Sequence, residues 1–139
     1  MKAPLLLDTH ALIWLMEGAA RLSRTARQLA EEAAKDGLLR VSAISLWEIA
    51  TLESKGRISF DRDCQTWING MLASPGLHLV PLTPEIAVQS TRLPGTIHGD
   101  PADRILIATA RVLSATLLTA DAKIRAYGKS GYLSVANAS

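Results

Sequence analysis

Four acidic residues stand where predicted strands end or where the following helices begin. Asp8 ends the first short apolar run, and Asp121 directly follows the last well-marked one. Glu48 and Asp103 are expected in the first turns of two later helices. Because strand ends and helix starts share one edge of an open parallel sheet, the four side chains are predicted to point toward one ligand-binding crevice.

Such a cluster suggests divalent cation chemistry. Clustered carboxylates repel one another, and burial raises that cost, so either some stay protonated or a cation neutralises them. Oxygen ligands without a Cys or His cluster favour Mg²⁺ or Mn²⁺, which keeps several waters and takes one or two carboxylates directly. A metal of this kind lowers the pKa of a bound water and holds a phosphate oxygen, which is what phosphodiester hydrolysis requires.

Each acid taken singly also has an ordinary structural explanation, as a helix N-cap or as a favourable charge in a first turn. Glu48 could form a capping box with Ser45, and Asp8 could cap the helix predicted over 9–17. Of the other acids, Asp100 and Asp121 could be N-caps, and Asp103 could be a favourable charge in a first turn. Capping does not explain why every strand end on this edge carries an acid, so the joint pattern favours a site.

The elements that must position these acids alternate along the chain. Short apolar runs between segments of helical period predict βα units, and therefore an α/β fold with a parallel sheet of four to five strands flanked by helices. The predicted strands are 4–7, 38–43, 77–82, Thr116–Thr119 and a weaker 132–135. The predicted helices are one over 9–17, one from the Ser23 cap to about Gly37, one from Ser45 to about Lys55, one from the Asp61 cap to Leu72, one from Thr83 to Leu93, one opened by Asp100 and one begun at Asp121.

The composition fits one domain, over residues 1–139, of ordinary globular size. Of the 139 residues, 48% are apolar and 20% charged, which is far from the composition of disordered chains. The longest apolar stretch is the six residues 11–16, so no membrane span is expected. Cys64 is the single cysteine and cannot form an internal disulfide, and no export signal is evident. We therefore expect a soluble, cytoplasmic protein.

Four segments of the chain carry a further signal. They are LLDTH at 6–10, SLWEI at 45–49, DPADRILIATA at 100–110 and LTAD at 118–121. In order and spacing they resemble the motifs of PIN-domain ribonucleases, and most closely those of the VapC-type toxins of type II toxin–antitoxin pairs. The helix motif after Asp100 is the most specific of the four, and together they span nearly the whole chain.

The resemblance implies roles for particular residues. The acid quartet maps onto Asp8, Glu48, Asp103 and Asp121 around Mg²⁺ or Mn²⁺, with Asp8 and Asp103 as direct metal ligands. Asp100 is implied as an auxiliary acid, and Thr9 and Thr119 as hydrogen-bond partners of the acids or the substrate. Such proteins usually form homodimers, cut RNA in single-stranded parts and are blocked by a cognate antitoxin, so the resemblance implies all three partners here.

Basic residues exceed acidic ones once the quartet is set aside, because nine other acids face 15 Lys and Arg. Such an excess suits a polyanion, through phosphate contacts that carry no sequence information. Arg21, Arg24 and Arg27 recur every three residues and could form a basic stripe, although a solvated helix face explains that spacing more simply. Arg104, beside Asp103, is the stronger auxiliary candidate, unless it only pairs with an acid.

Aromatic and histidine residues are weaker indicators. Trp14 and Trp47 fall among apolar helix positions, which favours core packing or a partner groove over base stacking. His10 and His98 flank the motifs but have no Cys or spaced His beside them, so we do not expect them to bind metal.

Two other functions remain open from the sequence. One is a phosphatase or phospho-acceptor domain with Asp8 as nucleophile, although His10 stands where a dehalogenase-like phosphatase has a second acid. The other is a noncatalytic protein-binding α/β module whose acids only cap helices. The sequence names neither the RNA nor the antitoxin, and a neighbouring reading frame for a small DNA-binding protein would identify a toxin–antitoxin pair.

Overall fold

Five parallel strands and seven helices make up the part of the chain, residues 2–139, that the computed structural model describes. The predicted domain began at Met1, which lies outside these residues. In chain order the elements are β1 (Leu5–Leu7), α1 (Thr9–Glu17), α2 (Arg24–Lys35), β2 (Leu39–Ser42), α3 (Ala43–Ser54), α4 (Cys64–Leu72), β3 (Leu77–Val80), α5 (Pro84–Gln89), α6 (Pro101–Leu113), β4 (Thr116–Thr119), α7 (Ala122–Lys129) and β5 (Ser134–Asn137). The predicted α/β fold with a parallel sheet is confirmed.

The strand order places a ligand-binding edge beside β1. The sheet runs β3-β2-β1-β4-β5, so the chain builds outward from β1 first on one side and later on the other. Leu7 of β1 is level with Leu118 of β4, and the two strands therefore end together. The order reverses between these strands, and in open α/β sheets a crevice forms at the carboxyl ends of such a pair.

Both faces of the sheet are covered by helices. Leu7 packs on one face, with residues of α1, α2, α3 and α4, and Leu6 packs on the other, with residues of α6 and α7. Leu6 and Leu7 are both 0% exposed, because successive side chains of a strand point to opposite faces and both faces are buried. This explains why the strands read as continuous apolar runs rather than alternating ones.

The start of α3 differs from the prediction. The helix begins at Ala43, directly after β2, and Ser42 is its N-cap, with its Oγ accepting from the Ile44 N–H at 3.1 Å. The predicted capping box of Ser45 with Glu48 is therefore wrong, and Glu48 lies in the second turn rather than the first. Without a loop after β2, the first serine reached is the one that caps the helix.

Several other boundaries also differ by a few residues. Asp63 rather than Asp61 caps α4, and α5 ends at Gln89 rather than near Leu93. The last strand is Ser134–Asn137 rather than 132–135, because Leu133 is buried against α6 and α7 and pairing with β4 begins at Ser134. None of the helices in residues 2–139 is long and apolar enough to cross a membrane.

Candidate active site

An open cleft of about 410 Å³ lies at the carboxyl ends of β1 and β4. It collects all four predicted quartet acids and the auxiliary acid, and apolar and basic side chains line it as well. The lining residues are Asp8, Thr9, His10, Trp14, Arg21, Glu48, Asp100, Asp103, Leu106, Ala120 and Asp121. The sequence prediction that acids from separated motifs converge on one crevice is met by this geometry.

Asp8 is held at the base of the cleft. Its backbone N–H donates to the Leu118 carbonyl at 3.1 Å, which fixes it to the end of β4. Its Oδ1 accepts from the Ala11 N–H at 2.8 Å, so Asp8 is the N-cap of α1. Capping occupies one carboxylate oxygen at this position, and the side chain is only 8% exposed.

The same arrangement recurs at two further helix starts. Asp100 Oδ1 accepts from the Asp103 N–H at 3.0 Å and caps α6. Asp121 Oδ1 accepts from the Ile124 N–H at 3.0 Å and caps α7. The N-terminal ends of α1, α6 and α7 thus meet at the cleft, where their unpaired N–H groups favour negative charge.

Glu48 reaches the cleft from the second turn of α3 and is held by neighbouring hydroxyls. The Thr9 hydroxyl donates to Glu48 Oε1 at 2.5 Å and also lies 2.9 Å from the Ser45 Oγ. Ser45 is 0% exposed and sits one turn before Glu48. Ser45 is therefore a positioning residue that sequence reasoning placed in the wrong role, as a cap.

Burial disfavours the charged forms of Asp8 and Glu48. It raises the pKa of Asp8, while the Thr119 side chain and the Ala11 N–H act in the opposite direction. It also raises the pKa of Glu48, against the hydrogen bond from Thr9. The threonines predicted as auxiliary residues both interact with quartet acids.

The pKa of Asp103 is raised as well. Burial, followed by the negative charges around it, raises the pKa of the Asp103 carboxyl to about 7. The charges responsible are those of Asp100, Asp121, Glu48 and Asp8. A carboxyl group that is driven toward the protonated form by four neighbours lies in a region of strong negative potential.

No Lys or Arg forms an ion pair with a cleft acid within residues 2–139. The ion pairs there are Lys2 with Asp36, Arg62 with Asp61, and His98 with Asp103. His98 Nε2 lies 3.3 Å from Asp103 Oδ2, but it makes no hydrogen bond with any partner in this part of the chain. The protein itself leaves most of the negative charge of the cleft uncompensated.

Helix capping accounts for part of the acid pattern but not for all of it. Asp8, Asp100 and Asp121 are N-caps, as the structural explanation supposed. Glu48 caps nothing, and Asp103 lies past the cap with its side chain in the cleft. Three of the five acids that line the cleft therefore also cap helices, and the other two cap none.

The basic residues singled out from the sequence do not lie where the sequence suggested. Arg104 turns away from the acids, and its Nε donates to the Ser90 carbonyl at 2.9 Å while its Nη1 reaches the Ile97 carbonyl at 3.4 Å. It thereby ties the loop before α6 to the end of α5. Arg21 is the arginine that lines the acidic cleft, which its spacing in the sequence did not reveal.

Among residues 2–139, no three His, Cys, Asp or Glu side chains already stand close enough to share one ion. The donors that face the cleft are carboxylate oxygens, which suit a hard cation. Because Mg²⁺ keeps most of its waters and needs only one or two direct carboxylates, this donor set fits a hydrated ion.

Comparison with known proteins agrees with this architecture. The profile of the PIN domain family matches residues 5–130. Ribonuclease VapC22 of Mycobacterium tuberculosis is 34% identical over 122 residues, which are 88% of this chain and 90% of that protein.

Solved structures share the fold at low sequence identity. A chain of VapBC2 from Rickettsia felis bound to a promoter DNA fragment superposes with a TM-score of 0.71 at 19% identity, covering 96% of this chain and 97% of that one. A chain of DNA-bound VapBC from Salmonella typhimurium gives a TM-score of 0.70 at 14% identity, covering 99% and 100%. Because the family profile covers nearly the whole of it, the chain belongs to the PIN domain family.

Proposed function

We propose that the protein is a metal-dependent endoribonuclease and the toxin of a toxin–antitoxin pair. The observation that carries this proposal is the convergence of five acids from four separate motifs on one cleft, where none of them forms an ion pair with a Lys or Arg of residues 2–139. Its similarity to Ribonuclease VapC22 of Mycobacterium tuberculosis supports RNA as the substrate.

Asp8 and Asp103, which both line the cleft, are proposed to hold a Mg²⁺ or Mn²⁺ ion. When bound, such an ion would supply positive charge that acidifies a water and stabilises negative charge on a phosphate oxygen. Glu48 and Asp121 would orient water and accept its proton, with Thr9 holding the Glu48 carboxylate and Ser45 in turn holding the Thr9 hydroxyl. The Thr119 hydroxyl accepts from the Asp121 N–H at 3.0 Å. We propose that the same side chain also holds the Asp8 carboxylate in place.

The phospho-acceptor alternative is less well supported by the geometry of Asp8. A carboxylate nucleophile must present an oxygen to an incoming phosphorus atom. Asp8 is 8% exposed, and its Oδ1 is already engaged with the Ala11 N–H. A purely structural role is also less well supported at Glu48, which neither caps α3 nor lies in its first turn, whereas Asp103 does lie in the first turn of α6.

Metal removal tests the proposed reaction. We expect a chelator such as EDTA to reduce cleavage of single-stranded RNA to background, and Mg²⁺ or Mn²⁺ to restore it. Ca²⁺ should restore much less, because its longer and looser coordination misplaces the attacking water. Full cleavage by protein that elemental analysis shows to be metal-free would rule the mechanism out.

An antitoxin is the proposed protein partner. VapBC structures of the same fold are complexes of this kind, and the acidic cleft offers a complementary surface for Arg or Lys of an inhibiting segment. A cation placed among the acids would compete with the metal for the same negative potential, and apolar contacts around it would supply further affinity.

A homodimer is proposed from an apolar cleft of about 460 Å³ beside the acidic one. Its lining residues are Ile44, Trp47, Glu48, Asp100, Pro101 and Ala102. Trp47 is 62% exposed, so it does not pack in the core. A large aromatic side chain in that position is typical of the centre of a protein interface.

We expect Trp47→Ala to weaken self-association at least about 30-fold, which is the effect of removing a central aromatic residue from an interface. Leu82→Ala is the matched control, because Leu82 is also exposed, at 48%, but lies outside this cleft. Analytical ultracentrifugation measures both. Wild-type protein that remains monomeric at high micromolar concentration would contradict the proposed dimer.

A further inference from the structure

Arg21 lines the acidic cleft, although it lies outside every acid motif. It lies in the loop between α1 and α2. Its guanidinium carbon stands 4.7 Å from the centre of the Trp14 ring, which is a cation–π contact. Within residues 2–139 Arg21 forms no ion pair with any acid, although five acids line the same cleft.

The Trp14 ring under Arg21 is held in place by core packing. Trp14 is only 9% exposed and belongs to the core cluster on its face of the sheet. The loop that carries Arg21 is anchored on both sides, since the Ala19 N–H donates to the Trp14 carbonyl at 2.9 Å and the Ser23 N–H donates to the Ala138 carbonyl at 2.9 Å. Leu22, the next residue, is buried as well.

Stacking on Trp14 leaves the N–H groups of the Arg21 guanidinium free to bind an anion. A guanidinium that lies on an aromatic face keeps its N–H groups free at its edge, where they suit the paired oxygens of a phosphate. An arginine that instead paired with a cleft acid would compete with a metal ion for that acid. Arg21 keeps its charge in the cleft without doing so.

We propose that Arg21, stacked on Trp14, binds a backbone phosphate of the RNA at the mouth of the acidic cleft. This inference rests on the proposed ribonuclease function and adds a substrate-positioning residue to it. The carboxylates alone repel a polyanion, and a fixed cation that lines the same cleft offsets part of that repulsion. Neither Arg24 nor Arg27 of the predicted basic stripe lines the cleft, and Arg27 instead donates to the Ala19 carbonyl.

The test compares Arg21→Gln with Arg24→Gln, which removes the same charge from the exposed start of the neighbouring helix. Cleavage of a labelled single-stranded RNA gives KM and kcat, and fluorescence anisotropy of the same RNA on Asp8→Asn protein gives Kd over a series of NaCl concentrations. We expect Arg21→Gln to raise KM and Kd about tenfold with a smaller change in kcat. The slope of log Kd against log salt should fall by about 0.7, the value for one phosphate contact on a single strand.

Arg24→Gln should leave both the affinity and the salt slope close to those of wild type. Arg21→Lys should keep the salt slope and recover part of the affinity, because it retains the charge but loses the planar, stacked group. Equal effects of Arg21→Gln and Arg24→Gln would overturn the proposal, since they would reflect net charge alone. Wild-type protein that cuts no RNA with Mn²⁺ present would instead contradict the proposed function, independently of Arg21.

Discussion

Asp8→Asn is expected to reduce metal-dependent RNA cleavage by at least about 100-fold and to leave the protein folded. Even residues that only support metal ligands typically cost 10- to 100-fold when changed, so the loss of a direct ligand should cost more. Asn keeps the size and the N-cap function of Asp8, because its side-chain oxygen can still accept from the Ala11 N–H. It removes only the charge, which is the property that cation binding requires.

The helix cap provides a sharp control for this prediction. Asp8→Ala removes both the charge and the cap, so it should lose cleavage as completely as Asp8→Asn and in addition about 1 kcal/mol of stability. Asp63→Asn makes the identical chemical change at the N-cap of α4, where Asp63 is exposed and lies outside the acidic cleft. It should have no effect on cleavage.

The measurements are single-turnover cleavage rates with Mn²⁺ and thermal unfolding without metal. Asp8→Asn protein should unfold at or above the wild-type temperature, because removing one of several like charges relieves repulsion in the cleft. Asp8→Asn protein that cuts RNA at the wild-type rate would show that the metal is held elsewhere.

Capping and metal binding compete as explanations in the sequence, but the cap geometry leaves room for the same aspartates to serve both. An N-cap uses one carboxylate oxygen, as Asp8, Asp100 and Asp121 each do through Oδ1. Their positions follow from the fold, since a strand that leads directly into a helix puts its cap residue on the ligand-binding edge. The caps at Asp8, Asp100 and Asp121 could therefore be read from the sequence, whereas those of α3 and α4 were misplaced.

Contacts between separate segments were harder to predict. Arg104 is adjacent to Asp103 in sequence, yet on a helix neighbouring residues point in different directions, and Arg104 binds carbonyls of the loop and α5 instead. Arg21 is remote from every acid motif and reaches the cleft only because the α1–α2 loop folds beside Trp14. The role of Ser45 depends on its contact with Thr9, 36 residues earlier, which no local pattern reports.

Trp47 shows a further limit of periodicity. It lies among apolar residues of α3, and it is nonetheless 62% exposed. The packed residues Ser45 and Ile49 of the same helix include a serine, whose burial is made possible by the Thr9 hydroxyl. Trp47 follows the buried Ser45 by two residues and so lies on the other side of the helix, and a hydrophobic pattern alone assigns the two incorrectly.

The pH dependence of stability follows from the raised pKa of Asp103, about 7 in the folded protein and near 4 when unfolded. Between these values the folded state holds a proton that the unfolded state has lost. Stability of the metal-free protein should therefore fall as pH rises from about 4 to about 7, and this group should contribute no further change above that. Asp8 and Glu48, whose pKa values are also raised, act with the same sign.

A divalent cation should reverse this trend, because it binds the deprotonated carboxylates and must displace the proton below pH 7. We expect the metal-free protein to unfold several degrees lower at pH 8 than at pH 5, since the Asp103 proton is lost over the two pH units from 5 to 7, which corresponds to at most about 3 kcal/mol. Added Mn²⁺ should stabilise the protein more at pH 8 than at pH 5, with its apparent affinity falling about tenfold for each pH unit below 7.

Thermal unfolding across pH, with and without Mn²⁺, measures both effects, and Asp103→Asn should flatten the metal-free profile. A metal-free protein that gains stability between pH 5 and pH 7 would show that the acids are not under mutual repulsion, and the electrostatic basis of the proposed metal site would be lost.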